Sequence, residues 1–120
     1  MILVTGANGL VGSYLCRYLL LQGKTVRALK RHNSNMRLVA DVADKIEWVD
    51  GDVNDLASLE IAMEGVDQIY HCAAIISYTK KNHDSLMRVN VEGTENIVNL
   101  SLDFGIKKLV HVSSIAALGK

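Results

Sequence analysis

Three glycines at equal intervals, Gly6, Gly9 and Gly12, separate an apolar run, MILVT, from an apolar stretch with helical spacing that begins at Leu10. Glycine loses more conformational freedom on ordering than any other residue, so this density points to a backbone that side chains would obstruct. An apolar run, a glycine turn and a helical segment confine the start of the chain to a tight strand-to-helix connection. The unpaired N–H groups of the helix start then face outward. The remaining chain repeats the alternation. MILVT (1–5), TVRALK (25–30), KIEWVD (45–50), VDQIYH (66–71) and KLVHV (108–112) are short, apolar and rich in Val and Ile, as strands of a parallel sheet covered on both faces are. Segments 10–23, 54–65 and 81–105, and more weakly 33–44, carry apolar residues at helical spacing. Gly23, Gly65 and Gly105 fall just past three of them, where a left-handed residue ends a helix, and Asp55 with Ser58 and Glu60 suits the start of 54–65. These features predict an α/β fold: one domain over residues 1–120, with a Rossmann-type doubly wound parallel sheet of about five strands and helices on both faces.

Composition narrows the class further. Thirteen basic residues balance thirteen acidic ones, with 49% hydrophobic and 22% charged residues, which argues against a nucleic-acid footprint or a disordered tail. Cys16 and Cys72 lie in apolar segments without metal-ligand spacing, so free packed thiols and no metal site are expected. No window approaches ~18 uninterrupted apolar residues. A soluble, cytoplasmic protein without membrane or nucleic-acid partners is the expectation.

The glycine turn lies where a helix start attracts phosphate, which points to a dinucleotide. In that reading Gly6 permits the sharp turn, Gly9 lets the backbone approach the pyrophosphate, and Gly12 lets the helix lie close to the sheet. Asn8, Leu10 and Val11 complete the phosphate-facing turn. The P-loop lysine is absent, which disfavours nucleoside triphosphates. Some twenty residues on, where NAD-binding domains usually place an acid, stand Lys30 and Arg31. Cations there suit a 2′-phosphate, so NADP is the expected cofactor and NAD the second choice, with Arg37 extending the patch if its loop folds back.

In order, TGANGLVG, GDVND (51–55), HCAA (71–74), VNVEGT (89–94) and VSS (112–114) resemble the amino-terminal half of an extended short-chain dehydrogenase/reductase. TVRALKR, VNVEGT and HVSSIAALG are most like the dihydroflavonol-reductase-like and 3β-hydroxysteroid-dehydrogenase-like branch. The resemblance implies that Asp52 and Val53 flank the adenine and that Ala73 and Ala74 leave room for the cofactor to cross the sheet edge. It places Ser113 near the nicotinamide and makes Ser114 the catalytic residue that bonds the substrate's reacting oxygen. Asn90, a mid-helix amide, reads either as a cofactor or tertiary contact or as an exposed polar residue. His71 reads as a packed strand residue.

The family's proton donor is a Tyr with a Lys four residues later, and no Tyr in this chain has that partner. Tyr78, Lys80 and Lys81 are expected in a loop after the fourth strand. The resemblance therefore implies the cofactor-binding half of a longer NADP-dependent oxidoreductase, acting on a small-molecule carbonyl or its alcohol, with these 120 residues alone inactive. A nucleotide-sugar epimerase or dehydratase of the same superfamily, with a sugar-nucleotide substrate, and a non-catalytic redox sensor are the alternatives. The long helix carries Leu86, Val89, Gly93, Ile97 and Leu100 on one face and Met87, Val91, Val98 and Leu102 on another, which suits a homodimer of the full-length protein.

Overall fold

The computed structural model describes residues 1–31, 35–73 and 80–113, with side chains described for 1–31, 35–72 and 91–112. In chain order the elements are β1 (Ile2–Thr5), α1 (Leu10–Leu21), β2 (Val26–Lys30), two 3-10 turns (Arg37–Val39 and Ala43–Lys45), β3 (Glu47–Asp50), α2 (Leu56–Met63), β4 (Gln68–Ala73), α3 (Lys80–Asp103) and β5 (Lys108–Ser113). The strands form one parallel sheet in the order β3-β2-β1-β4-β5. Two windings that leave β1 in opposite directions produce this order, and helices cover both faces.

Side-chain alternation along β1 shows the two layers. Ile2 and Val4 join Cys16 and Leu19 of α1, with Val26, Ala28 and Ile46, in one core. Leu3, between them, faces the other way and packs with Leu59, Ala62 and Met63 of α2 and with Ile97 and Leu100 of α3. All four β1 residues are buried, as a central strand covered on both faces requires. β3 is one edge of the described sheet and is only half-covered, which explains its mixed pattern.

Helix ends follow the glycines. Gly23, Gly65 and Gly105 all have positive φ, and Gly23 closes α1 with paired bonds from its own N–H to the Leu20 carbonyl and from Lys24 N–H to the Leu19 carbonyl. Asp55 is the N-cap of α2, its Oδ1 accepting from the Ala57 amide at 3.2 Å. Two expectations need correction. Of the 33–44 segment, the described residues 35–44 do not form an α-helix: they make two separate 3-10 turns, because only Val39 is buried and no continuous apolar face runs along them. Lys80 and Lys81 open α3 rather than lying in a loop. Strand and helix limits otherwise shift by up to two residues, and the sheet, its parallel sense and its helical layers are those the sequence predicts.

Candidate functional site

The site lies at the carboxyl ends of the strands, where the chain leaves β1 toward β2 on one side and β4 arrives on the other. The three glycines there have different physical causes. Gly6 has φ +68°, and a Cβ on it would stand 2.2 Å from the Cys72 carbonyl oxygen of β4. Gly12 lies against the same turn, where a Cβ would stand 2.0 Å from the Gly6 carbonyl oxygen. Both are required by packing. Gly9 is not: it is exposed, has φ −85°, and a Cβ would meet nothing closer than Gly6 O at 3.4 Å. It is the N-cap of α1 without a side-chain cap, and the first turn carries no acid. Among the described residues no hydrogen bond from the amides of Leu10, Val11 or Gly12 is seen, and Leu10 is 74% exposed. An exposed, uncapped helix start is an anion-binding surface. Asn8 borders it, donating from Nδ2 to the Asn35 carbonyl at 3.2 Å.

At the end of β2, the Lys30 ammonium lies 2.8 Å from Asp50 on β3 and is largely covered. The Arg31 guanidinium, 71% exposed, has its Nε 3.6 Å from the Asp52 carboxylate. Both cations are thus held near carboxylates at or just past the end of β3, with the Arg31 side chain toward solvent. Asp52 also accepts from the Asn54 amide at 2.9 Å, folding the GDVND stretch into a turn. Ser58 fastens this turn to α2: its Oγ accepts from the Asp52 amide at 3.1 Å and donates to the Asp55 carbonyl at 2.9 Å. Val53 packs at the margin of the core, against Gly93 of α3, where a Cβ would stand 2.5 Å from Val53 Cγ2. Asn96 Nδ2 donates to the Val53 carbonyl at 2.9 Å.

His71, on β4, is buried beside Thr5 and Thr94: its Nδ1 is 2.6 Å from Thr5 Oγ1 and its Nε2 is 3.0 Å from Thr94 Oγ1. The ring stacks on His111 at 5.3 Å. Burial, with a smaller contribution from His111, pushes the His71 pKa down to about 4, so the imidazole is neutral at pH 7. Burial raises the Cys16 and Cys72 thiols to about 12 and about 11, the state of inert packed cysteines.

The structure therefore gathers Gly6, Asn8, Gly9, Leu10, Val11 and Gly12 at one helix start and sets Lys30, Arg31, Asp52 and Val53 along the adjoining strand ends. Ala73 ends β4, Asn90 lies in α3 and Ser113 ends β5, while Ala74, Tyr78 and Ser114 fall outside the described residues. Sequence reasoning gave no role to Thr94, Asn96 or Arg17, and none to Arg27. Thr94 belongs to the VNVEGT motif; the others carry no local signal, because their partners are 20 or more residues away. Among the described residues no group of His, Cys, Asp and Glu could hold a metal ion, and no helix is long and apolar enough to cross a membrane.

A five-strand doubly wound sheet with a glycine turn at its switch point defines a Rossmann-type α/β domain. The chain belongs to the NAD dependent epimerase/dehydratase family, whose family model matches residues 2–120. It is 42% identical over 116 residues to a Synechocystis protein named "Putative dihydroflavonol 4-reductase", covering 97% of this chain and 33% of that one. It is 38% identical to "Sterol demethylase protein B" of Methylococcus capsulatus, covering 98% of this chain and 35% of the relative. The chain thus spans about a third of the curated relatives it matches. Among solved structures, gox2253 superposes with a TM-score of 0.86 at 36% identity, covering 99% of this chain and 36% of that one. An Agrobacterium tumefaciens short-chain dehydrogenase/reductase with bound NAD superposes at 0.78 and 32% identity, covering 95% of this chain and 32% of that one. These likenesses agree with the extended short-chain dehydrogenase/reductase resemblance of the motifs.

Proposed function

We propose that this chain is the dinucleotide-binding part of a cytoplasmic NADP-dependent oxidoreductase that interconverts a small-molecule carbonyl and its alcohol. The observation that carries the reading is Gly9: its glycine has no internal packing cause, yet it caps an exposed helix start without a side chain. A ligand backbone approach supplies the missing cause. In this reading the amides of Leu10, Val11 and Gly12 bind the diphosphate, with Asn8 beside them. Lys30 and Arg31 hold a ribose 2′-phosphate, Asp52 and Val53 flank the adenine, and Ala73, Ala74 and Asn90 line the path toward the nicotinamide. A bound nicotinamide supplies the hydride acceptor or donor. Ser113 stands beside it, and the Ser114 hydroxyl orients the substrate's reacting oxygen. A hydroxyl is too weak an acid to supply the proton alone, and the 120 residues contain no Tyr-x-x-x-Lys, so the isolated chain is expected to bind without turnover.

Likeness to the Synechocystis protein favours a carbonyl reductase over a nucleotide-sugar enzyme, since the dTDP-glucose 4,6-dehydratase DesIV of Streptomyces venezuelae is 29% identical. The exposed outer side of α3, with Val91, Val98 and Leu102, supports a homodimer of the full-length protein. Calorimetric titration with NADP+ and NAD+ tests the cofactor reading. NADP+ is expected to bind at least tenfold more tightly, a difference of about 1.4 kcal/mol, and Arg31→Glu is expected to reverse the order. Gly9→Ala, which the fold accommodates, is expected to weaken both. Tighter NAD+ binding to the unaltered chain overturns the NADP assignment, and failure of both ligands to bind overturns the site.

A further inference from the structure

The dinucleotide groove of the proposed function has two supports in α3, and both come from one short stretch, Gly93–Asn96. Gly93 admits Val53 against the helix, and Asn96 holds the Val53 carbonyl at 2.9 Å, so this stretch fixes the adenine end. From the same stretch Thr94 reaches His71, and His71 reaches Thr5, the residue immediately before Gly6. Thr5 and His71 are also paired across β1 and β4. A neutral imidazole has one donor and one acceptor nitrogen, so it links two hydroxyls only when both are correctly placed. The turn that follows is closely packed: Gly6 lies against the Cys72 carbonyl and Gly12 against Gly6, with no room for a Cβ at either.

We propose that Thr94 and His71 are positioning residues for the diphosphate turn: the hydroxyl–imidazole–hydroxyl bridge sets the end of β1, and hence Gly6–Gly12, from α3. The inference rests on the dinucleotide reading above. Neither residue touches the proposed ligand; each acts through Thr5. Sequence proximity cannot supply this link, since His71 lies 66 residues from Thr5 and 23 from Thr94.

The test compares Thr94→Val, which keeps the shape and removes the hydroxyl, with Thr94→Ser, which keeps the hydroxyl. Binding is measured by calorimetry with two probes, NADP+ and adenosine 2′-monophosphate, the latter lacking the diphosphate. Thr94→Val is expected to weaken NADP+ about tenfold and adenosine 2′-monophosphate less than twofold, and Thr94→Ser is expected to restore NADP+ affinity to within about twofold. Thr5→Val, which cuts the bridge at its other end, is expected to reproduce the split and serves if Thr94→Val does not fold. Equal NADP+ affinity in the unaltered protein and Thr94→Val overturns the positioning role, as does an equal loss for both probes or an equal loss in Val and Ser. Absence of NADP+ and NAD+ binding to the unaltered protein overturns the dinucleotide reading instead.

Discussion

At the scale of single residues, equal spacing of Gly6, Gly9 and Gly12 conceals unequal reasons. Two of them are imposed by neighbouring carbonyls, and the middle one has no such packing cause. The sequence made the turn legible, because strand, glycine and helix patterns coincide there, but it could not rank the three. His71 was legible as a packed strand residue from its apolar flanks. Its bonds to Thr5 and Thr94 were not, since they depend on which strand and helix the fold brings beside it. Its burial has a pH consequence. With the folded pKa at about 4 and the ordinary value 6.5, the unfolded chain takes up a proton through this window while the folded chain does not. Stability contributed by neutral His71 is therefore full above pH 6.5, falls as pH drops toward 4, and levels off below, a loss on the order of 3 kcal/mol. Urea midpoints measured at intervals from pH 7 to pH 4 are expected to show this slope in the unaltered protein and a shallower one in His71→Asn. Identical slopes would remove His71 as its source.

Helices and strands reveal a second limit of sequence reading. The glycine stops of α1, α2 and α3 were visible because φ above zero leaves a residue-type signature. The failure of residues 35–44 to form a helix was less visible, since Leu38, Val39 and Val42 imitate helical spacing over too few turns. In the structure Arg17 of α1 holds that connection instead, bonding the Asp41 carboxylate and the Leu38 carbonyl, and it draws the Asp41 carboxyl below its ordinary pKa. Arg27 plays the corresponding part for α2. From β2 its Nη1 donates to the Ala62 and Glu64 carbonyls at 2.7 and 2.6 Å, and its Nε donates to Glu47 at 3.2 Å. A cation on the last carbonyls of an eight-residue helix satisfies groups that the helix cannot bond itself. Arg27→Met is expected to cost about 1–3 kcal/mol in chemical denaturation, because two carbonyls lose a charged donor. Glu47→Gln, which alters only the exposed end of the same contact, is expected to cost less than about 1 kcal/mol. Equal costs would place the stabilisation in the ion pair.

For the whole molecule, the parallel doubly wound sheet was legible because short apolar strands alternate with helical segments along the chain. Leu3 against one layer and Ile2 and Val4 against the other show how four consecutive apolar residues serve two cores. The outward face of α3 was legible as a second apolar stripe, and its described part does face solvent at Val91, Val98 and Leu102. Sedimentation of the full-length protein is expected to give a dimer, and Leu102→Lys with Val98→Lys to give a monomer; a monomer before substitution would exclude this surface as the contact.

A rod tied to two strand ends on one flank while its other flank meets water is also a lever. Val53 directly, and Thr5 through His71, are fastened to α3 within a single helical turn, so under the proposed dinucleotide reading a small roll of that rod would shift the purine and phosphate ends of the ligand together. Any body that settles on the rod's wet flank would be felt as a change in how firmly the cleft grips, and by reciprocity a filled cleft would change how firmly that body is held.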